Sequence, residues 1–168
     1  VDIVPEREID RLDLYKVCYL SGPNLTRAAA TKLRAWVAAG GTLWLTAGAA
    51  SRDEFNRPLD MLAILLPVER GELATFEPYN NSGKFLSYLA ARDTVSWGGE
   101  QLEVLSVKQP LKPRGSEPAE VLATFKDGQP AVMSVRAGKG RAIVCGFLPA
   151  LSYIKPALAA RLPLDQQG

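Results

Sequence analysis

"YLSGPNLTRAAATKLRAWVAAGGTLWLTAG", residues 19–48, links one apolar run to another through a Ser-Gly-Pro turn, an amphipathic segment and a Gly-Gly turn. From Thr26 the middle segment has helical spacing. Leu25, Ala29, Leu33, Trp36 and Val37 fall on one face, while Arg27, Thr31, Lys32 and Arg34 fall on others. Thr26 or Asn24 can cap the first turn, and Gly40 can end the helix in a left-handed conformation. The flanking runs, 15–20 and 42–47, are almost continuously apolar and β-favouring, as expected of strands covered on both faces in a parallel sheet. Strand, helix and strand with short joints predict a right-handed parallel βαβ unit. The fold class follows: α/β, a largely parallel sheet flanked by helices.

Upstream, "VDIV" (1–4) reads as a short strand, and Pro5 opens a brief helix with acidic residues in its first turn. Downstream, 48–57 is a loop and 58–67 a short helix stopped by Pro67. Between 68 and 118 the signal weakens. A helix is expected within 83–93, with Phe85, Leu86 and Leu89 inward, and a half-exposed strand within 101–111. Three β-rich runs follow, at 119–126, 130–136 and 140–147, separated by Asp127-Gly128 and Gly138-Lys139-Gly140. These are hairpin signals, so a C-terminal antiparallel β meander is expected, with Gly138 and Gly140 supplying positive φ. The tail from 148 reads as one helix broken around Pro156.

Composition excludes several function classes. The 168 residues, 47% of them hydrophobic, suffice for a single α/β domain over 1–168 with a real core. Its 20 basic and 18 acidic residues are scattered, with no basic stripe interleaved with aromatics, which argues against nucleic acid as a partner. No stretch is apolar for long enough to insert into a membrane as a helix. The chain has no histidine, so a serine or cysteine hydrolase lacks its usual base. Cys18 and Cys145 sit inside apolar runs and read as buried, reduced thiols. Neither has a second Cys or a His nearby, so a structural zinc site lacks ligands, and no metal or other cofactor is implied.

The C-terminal ends of parallel strands and the helix N-termini beside them are the natural ligand face of such a sheet. Residues Ser21, Gly22, Asn24, Thr46, Ser51, Asp53 and Glu54 share that face and could line a shallow polar pocket for a small ligand. Ser-Gly-Pro lacks the G-x-S-x-G elbow, so Ser21 reads as a turn residue. Asp53 and Glu54 are neighbours on one loop, whereas glycosidase carboxylates face each other across a sugar bond from separate elements. A salt bridge with Arg52 or Arg57 is the expected role for that pair. "AGKGRA" (137–142) lacks Walker spacing and is no phosphate loop. Trp36 and Trp44 occupy core-facing positions, leaving Trp97, beside Gly98-Gly99, as the exposed tryptophan.

The ordered series "DLYKVCYLSGPNLTRAAATKLRAWVAAGGTLWLTAGAASRDEFNRPLDMLAILLPV", then "EVLATFKDGQPAVMSVRAGKGRAIVCGF", resembles the middle, trimerisation domain of family 42 β-galactosidases. The resemblance rests on the "V-x-x-G-G-T-L" turn and strand, the "D-E" loop, the leucine-rich helix, the "G-x-P-A" turn and the "G-K-G-R" hairpin. It covers about residues 12–68 and 119–147.

That family is similar in fold to class I glutamine amidotransferases, which have flavodoxin-like sheets flanked by helices. The resemblance therefore implies this fold without its chemistry, since the Cys, His and Glu of those enzymes have no counterpart set here. It also implies that the galactosidase glutamates lie in a separate barrel domain. The family places a strand and helix before the segment matching "VDIV", so the chain is expected to be a module of a longer protein that carries that first unit. The implied role is a non-catalytic scaffold or interaction domain of a larger bacterial protein, carbohydrate-related or envelope-associated. Its partners would be other domains of the parent chain or further copies of itself. Two rivals stay open: a module binding a small polar ligand such as a carbohydrate, and an atypical hydrolase using Ser21 or the acidic pair.

Overall fold

The computed structural model describes residues 1–59, 67–75, 91–115 and 119–159, with side chains to residue 155. The expected helix at 58–67 and the inward positions Phe85, Leu86 and Leu89 lie largely or wholly outside these residues.

The βαβ unit forms as expected, from β1 (Val17–Leu20), α1 (Arg27–Ala39) and β2 (Thr42–Leu45). Thr26 caps α1, its hydroxyl oxygen accepting the Ala29 N–H at 3.1 Å, and Gly40 ends it at φ 135°. Leu25, Ala29, Leu33, Trp36 and Val37 are all buried. After β2 come β3 (Val68–Arg70), β4 (Ala74–Thr75), β5 (Ala91–Trp97), β6 (Glu100–Leu105), β7 (Val107–Lys108) and β8 (Leu111–Pro113). The expected meander is β9 (Ala119–Phe125), β10 (Pro130–Ala137) and β11 (Gly140–Cys145), and α2 (Pro149–Ala159) follows it.

Seven strands make one sheet in the order β1-β2-β11-β10-β9-β5-β6. Only β1–β2 and β2–β11 pair in parallel; the other four pairings are antiparallel. The parallel part is thus narrower than the sequence suggested. The tight turns at Gly98-Gly99, Gly128 and Gly138 explain three of these four, because a joint of two to four residues can return a strand only antiparallel. Two small two-stranded sheets, β3–β8 and β4–β7, stand apart.

Each strand sends alternate residues to two separate cores. Leu43, Leu45, Ala142, Val144, Met133 and Val135 pack under α1 and the N-terminal 3-10 helix (Glu6–Leu14). On the other face Ile143, Cys145, Val132, Ala123, Phe125, Val95 and Val104 form a second core, with Trp44 and Trp97 against it. The sheet curls around this second core. The curl brings Trp97, at the tip of the β5–β6 hairpin, onto Trp44 with ring centroids 6.0 Å apart. Trp97, expected to be exposed, is therefore half-buried.

Other expectations also need correction. Val1–Val4 is not a strand: Val1 and Ile3 are exposed and find no sheet neighbour. The run 15–20 was expected to be covered on both faces. Instead β1 is the edge strand, with Tyr19 72% exposed on the side away from α1. The apolar run reflected one buried face plus an aromatic neighbour of Trp44, whose ring centroid is 5.7 Å from that of Tyr19. The 101–111 run is divided by Ser106, at φ 65°. α2 runs through Pro156 without ending there.

Gly138 takes φ 63° as expected, but Gly140 is required for a different reason. A Cβ on Gly140 would lie 2.1 Å from the Val37 carbonyl oxygen and 2.3 Å from that of Gly41. The end of α1 and the start of β11 pass too close for any side chain there.

Candidate functional site

Beyond the C-terminal ends of β1 and β2, residues 46–59 fold back beside residues 22–25. Backbone bonds stitch the two segments: Ala50 N–H to Gly22 O at 2.8 Å, Arg52 N–H to Pro23 O at 3.0 Å, and Leu25 N–H to Arg52 O at 2.9 Å. Asn24 and Arg52 thereby form a short parallel bridge. The turn from β2 uses positive φ at Gly48 (72°) and Ala50 (46°), and Ala47, Ala49 and Ala50 are buried. Two side chains from distant sequence hold it. Buried Gln109 accepts the Gly48 N–H at 3.0 Å and donates to Gly71 O at 3.1 Å. Arg70 donates to the carbonyls of Ala49 and Ala50.

Asp53 is fully buried, and both of its oxygens are engaged. Oδ1 accepts the N–H groups of Phe55 at 2.9 Å and Arg57 at 2.8 Å. Oδ2 takes both Nε and a terminal nitrogen of Arg27, each at 2.9 Å. Burial by itself would push this carboxyl up. The hydrogen bonds from Arg57, Arg27 and Phe55 together outweigh it and hold the carboxyl below the ordinary carboxylate value. Glu54 is exposed, and its Oε2 accepts the Arg27 N–H at 3.0 Å, capping an otherwise unpaired donor in the first turn of α1. The acid pair therefore clamps the loop to the helix N-terminus. The ion-pair partner is Arg27, not the expected Arg52 or Arg57. Arg52 instead donates to Asn56 O at 2.9 Å, and Arg57 lies over the Phe55 ring.

The remaining expected site residues are only partly brought together. Asn24 is exposed, and its Nδ2 donates to Asp53 O at 3.1 Å. Ser51 is half-buried and contributes its carbonyl to the Leu59 N–H at 3.0 Å. Ser21 and Gly22 are exposed, and nothing crowds the position a Gly22 Cβ would take. Thr46 follows β2, and its Oγ1 is buried without a hydrogen-bond partner among the described residues.

Arg27, Arg70 and Gln109 escaped the sequence reading. A cation at the first position of a helix opposes the helix dipole, so Arg27 carried a signal for a facing carboxylate. Arg70 and Gln109 carried none, because their partners are backbone atoms set by tertiary structure.

The cysteines are free thiols. They lie on β1 and β11, with β2 between them. Burial pushes the Cys145 thiol up to about 12 and raises Cys18 as well, the reverse of nucleophile activation. Among the described residues no group of three or more acidic or Cys side chains could hold a metal ion, and no helix is long and apolar enough to cross a membrane.

A cleft lies elsewhere, at the opposite ends of the parallel strands. It measures about 570 Å³ and is lined by Thr42, Glu120, Ser134, Arg136, Lys139 and Arg141, with glycines of the 138–140 turn.

A family model described as the β-galactosidase trimerisation domain matches residues 1–162. No curated protein matches the chain. Among solved structures, the chain is similar to a GH42 β-galactosidase from G. stearothermophilus, at a TM-score of 0.67 and 22% identity over 90% of this chain and 22% of that one. It is also similar to a polyextremophilic β-galactosidase from the Antarctic haloarchaeon Halorubrum lacusprofundi, at 0.71 and 19% identity over 96% of this chain and 24% of that one. A third is an exo-β-1,4-mannosidase from Opitutaceae bacterium strain TAV5, at 0.59 and 18% identity over 93% and 24%. At such identities the likeness is one of fold. The chain spans 22–24% of the length of these structures.

Proposed function

The chain belongs to the β-galactosidase trimerisation domain family, and we propose that it serves as a non-catalytic scaffold that joins copies of a larger glycoside hydrolase. The single observation carrying this reading is the family match, which runs over residues 1–162. The structural use of the acid pair supports it, since both oxygens of buried Asp53 are taken by Arg27, Phe55 and Arg57, and Glu54 accepts the Arg27 N–H. The absence of histidine supports it too, as do the buried Cys145 and half-buried Cys18, both raised above the ordinary thiol value by burial. On this reading the catalytic carboxylates belong to another part of the parent protein, and this segment is one module of it. The parallel β1–α1–β2–β11 unit supports viewing the frame as a reduced amidotransferase-like, flavodoxin-related sheet, stripped of that chemistry.

The test is sedimentation velocity on the full-length parent protein at micromolar concentration. A species of three copies is expected. A monomer at every salt concentration overturns the reading.

A further inference from the structure

Arg136 and Arg141 stand directly opposite each other in the β10–β11 ladder, so their side chains rise from one face of the sheet. Like charges in that relation repel. Lys108 shows how the chain settles a cation elsewhere, between the carboxylates of Asp93 and Asp127. Arg136, Arg141 and the neighbouring Lys139 are exposed and have no ion-pair or hydrogen-bond partner among the described residues. All three line the 570 Å³ cleft, whose polar lining is completed by Thr42, Ser134 and the acid Glu120. The cleft thus offers two guanidinium forks, at a spacing fixed by the ladder, and such planar forks suit a carboxylate or a sulfate.

The same face carries an aromatic shelf. Thr42 is paired with Arg141, and Trp44 lies two residues further along β2, hence on the same side. Tyr19 on β1 is paired with Trp44, with ring centroids 5.7 Å apart, and Trp97 stacks on Trp44 at 6.0 Å. The two tryptophans are half-buried, whereas Tyr19 keeps its ring exposed at the sheet edge. From Tyr19 to Arg141 the surface runs two strand spacings across and two residues along, which strand dimensions put at about 12 Å.

These groups divide the recognition of one ligand between them. An open aromatic ring takes the C–H face of a sugar, the Thr42 and Ser134 hydroxyls match sugar hydroxyls, and the arginine pair takes an acid group. A disaccharide spans the distance from ring to guanidinium; one sugar ring or a free oxyanion does not. The Tyr19 and Trp44 rings are in direct contact, with no slot for a flat base between them, so the shelf fits a saccharide better than a nucleotide.

We propose that the face from Tyr19 to the Arg136–Arg141 pair binds an acidic saccharide at least two rings long, the acid being a carboxylate or a sulfate. The site lies within one copy of the chain and does not depend on the scaffold reading: a parent protein that is monomeric leaves it standing. Calorimetric titration of the full-length parent with digalacturonate and with a singly sulfated galactose disaccharide tests it, and the two arms tell carboxylate from sulfate. At least one is expected to bind, with Arg141→Ala weakening it about 10–100-fold, as for loss of hydrogen bonds to a charged group, and Tyr19→Ala weakening it by a smaller factor. Because Arg141→Ala also relieves the cross-strand repulsion, its melting temperature should be no lower than that of the unsubstituted protein, which separates lost binding from lost fold. If neither disaccharide binds at millimolar concentration, or Arg141→Ala leaves the affinity unchanged, the assignment is overturned. It also falls if inorganic sulfate binds as tightly as the disaccharides and Tyr19→Ala has no effect, since the cleft is then a bare anion site. Adenosine monophosphate that binds more tightly than either disaccharide, and competes with it, would overturn the assignment in favour of a nucleotide.

Discussion

Arg27 and Asp53, 26 residues apart, meet through two nitrogens on one carboxylate oxygen, each at 2.9 Å, with the carboxyl fully buried and the guanidinium at the surface. The pair fixes where α1 begins relative to the loop that follows β2. Asp53→Ala removes the acceptor shared by the N–H groups of Phe55 and Arg57 and by the arginine, and with it the bonds that hold the loop to α1. The expected outcome is a melting temperature lower by roughly 5–10 °C for a chain of this size. Because the folded carboxyl lies below its ordinary 3.8, its stabilising effect is present above that value and is lost as pH falls through the lower folded one. Melts from pH 6 down to about pH 2 check this: Asp53→Asn should flatten the acid limb relative to the parent sequence.

Gly140→Ala should be among the most damaging single changes in the chain. Its added methyl would sit 2.1 Å from the Val37 carbonyl oxygen and 2.3 Å from that of Gly41, both backbone atoms that cannot rotate away. Separating α1 from β11 to admit it would cost about 3 kcal/mol or more, at the upper end of overpacking. Gly128→Ala is the comparison: its φ is 82°, but nothing crowds the site, so the loss there is only that of a left-handed alanine, about 1–2 kcal/mol. Urea titrations of the two variants should rank them in that order.

Much of the fold was legible in the sequence because local signals and tertiary contacts agree there. The spacing of Leu25 to Val37 predicts α1 and its buried face, and the Gly128 and Gly138 turns predict the β9–β10–β11 meander. Legibility failed where a residue answers to something distant. An apolar β1 reads the same whether one face or two are covered. Trp97 is half-buried only because the sheet curls, and curl is a property of seven strands together. At the candidate site, Asp53 and Glu54 were visible as acids at the right end of the sheet. Their partner Arg27 lay across the fold, and the dipole argument that marks it works only once a helix start is fixed.

Cys145 should remain silent to thiol reagents in the folded protein at neutral pH, since burial pushes it up to about 12 and closes access to it. Cys18, half-buried on the edge strand, should label first. The stability sign is opposite to that of Asp53. Unfolding returns the Cys145 thiol to an ordinary value near 9.0, so the unfolded chain ionises first and stability declines as pH climbs from about 9 toward 12. Cys145→Ala should remove part of that alkaline decline. A labelling time course by intact mass, with and without urea, tests the order.

The two cores predict an additivity that a one-core fold would not show. Trp97 packs on Trp44 inside the curl, whereas Leu33 packs between α1 and the opposite face of the sheet. Trp97→Ala should remove an aromatic stack worth about 0.5–1.5 kcal/mol beyond its area, plus partial burial, for a loss of roughly 2 kcal/mol. Leu33→Ala, at a position 2% exposed, should cost about 2–5 kcal/mol. Because the sheet separates the two side chains and they share no cluster, the double variant should lose the sum to within about 0.5 kcal/mol. Near-ultraviolet circular dichroism separates the two effects, since only Trp97→Ala removes the coupled tryptophan signal. A coupling above about 1 kcal/mol would mean that the faces communicate through the sheet and that the curl depends on α1.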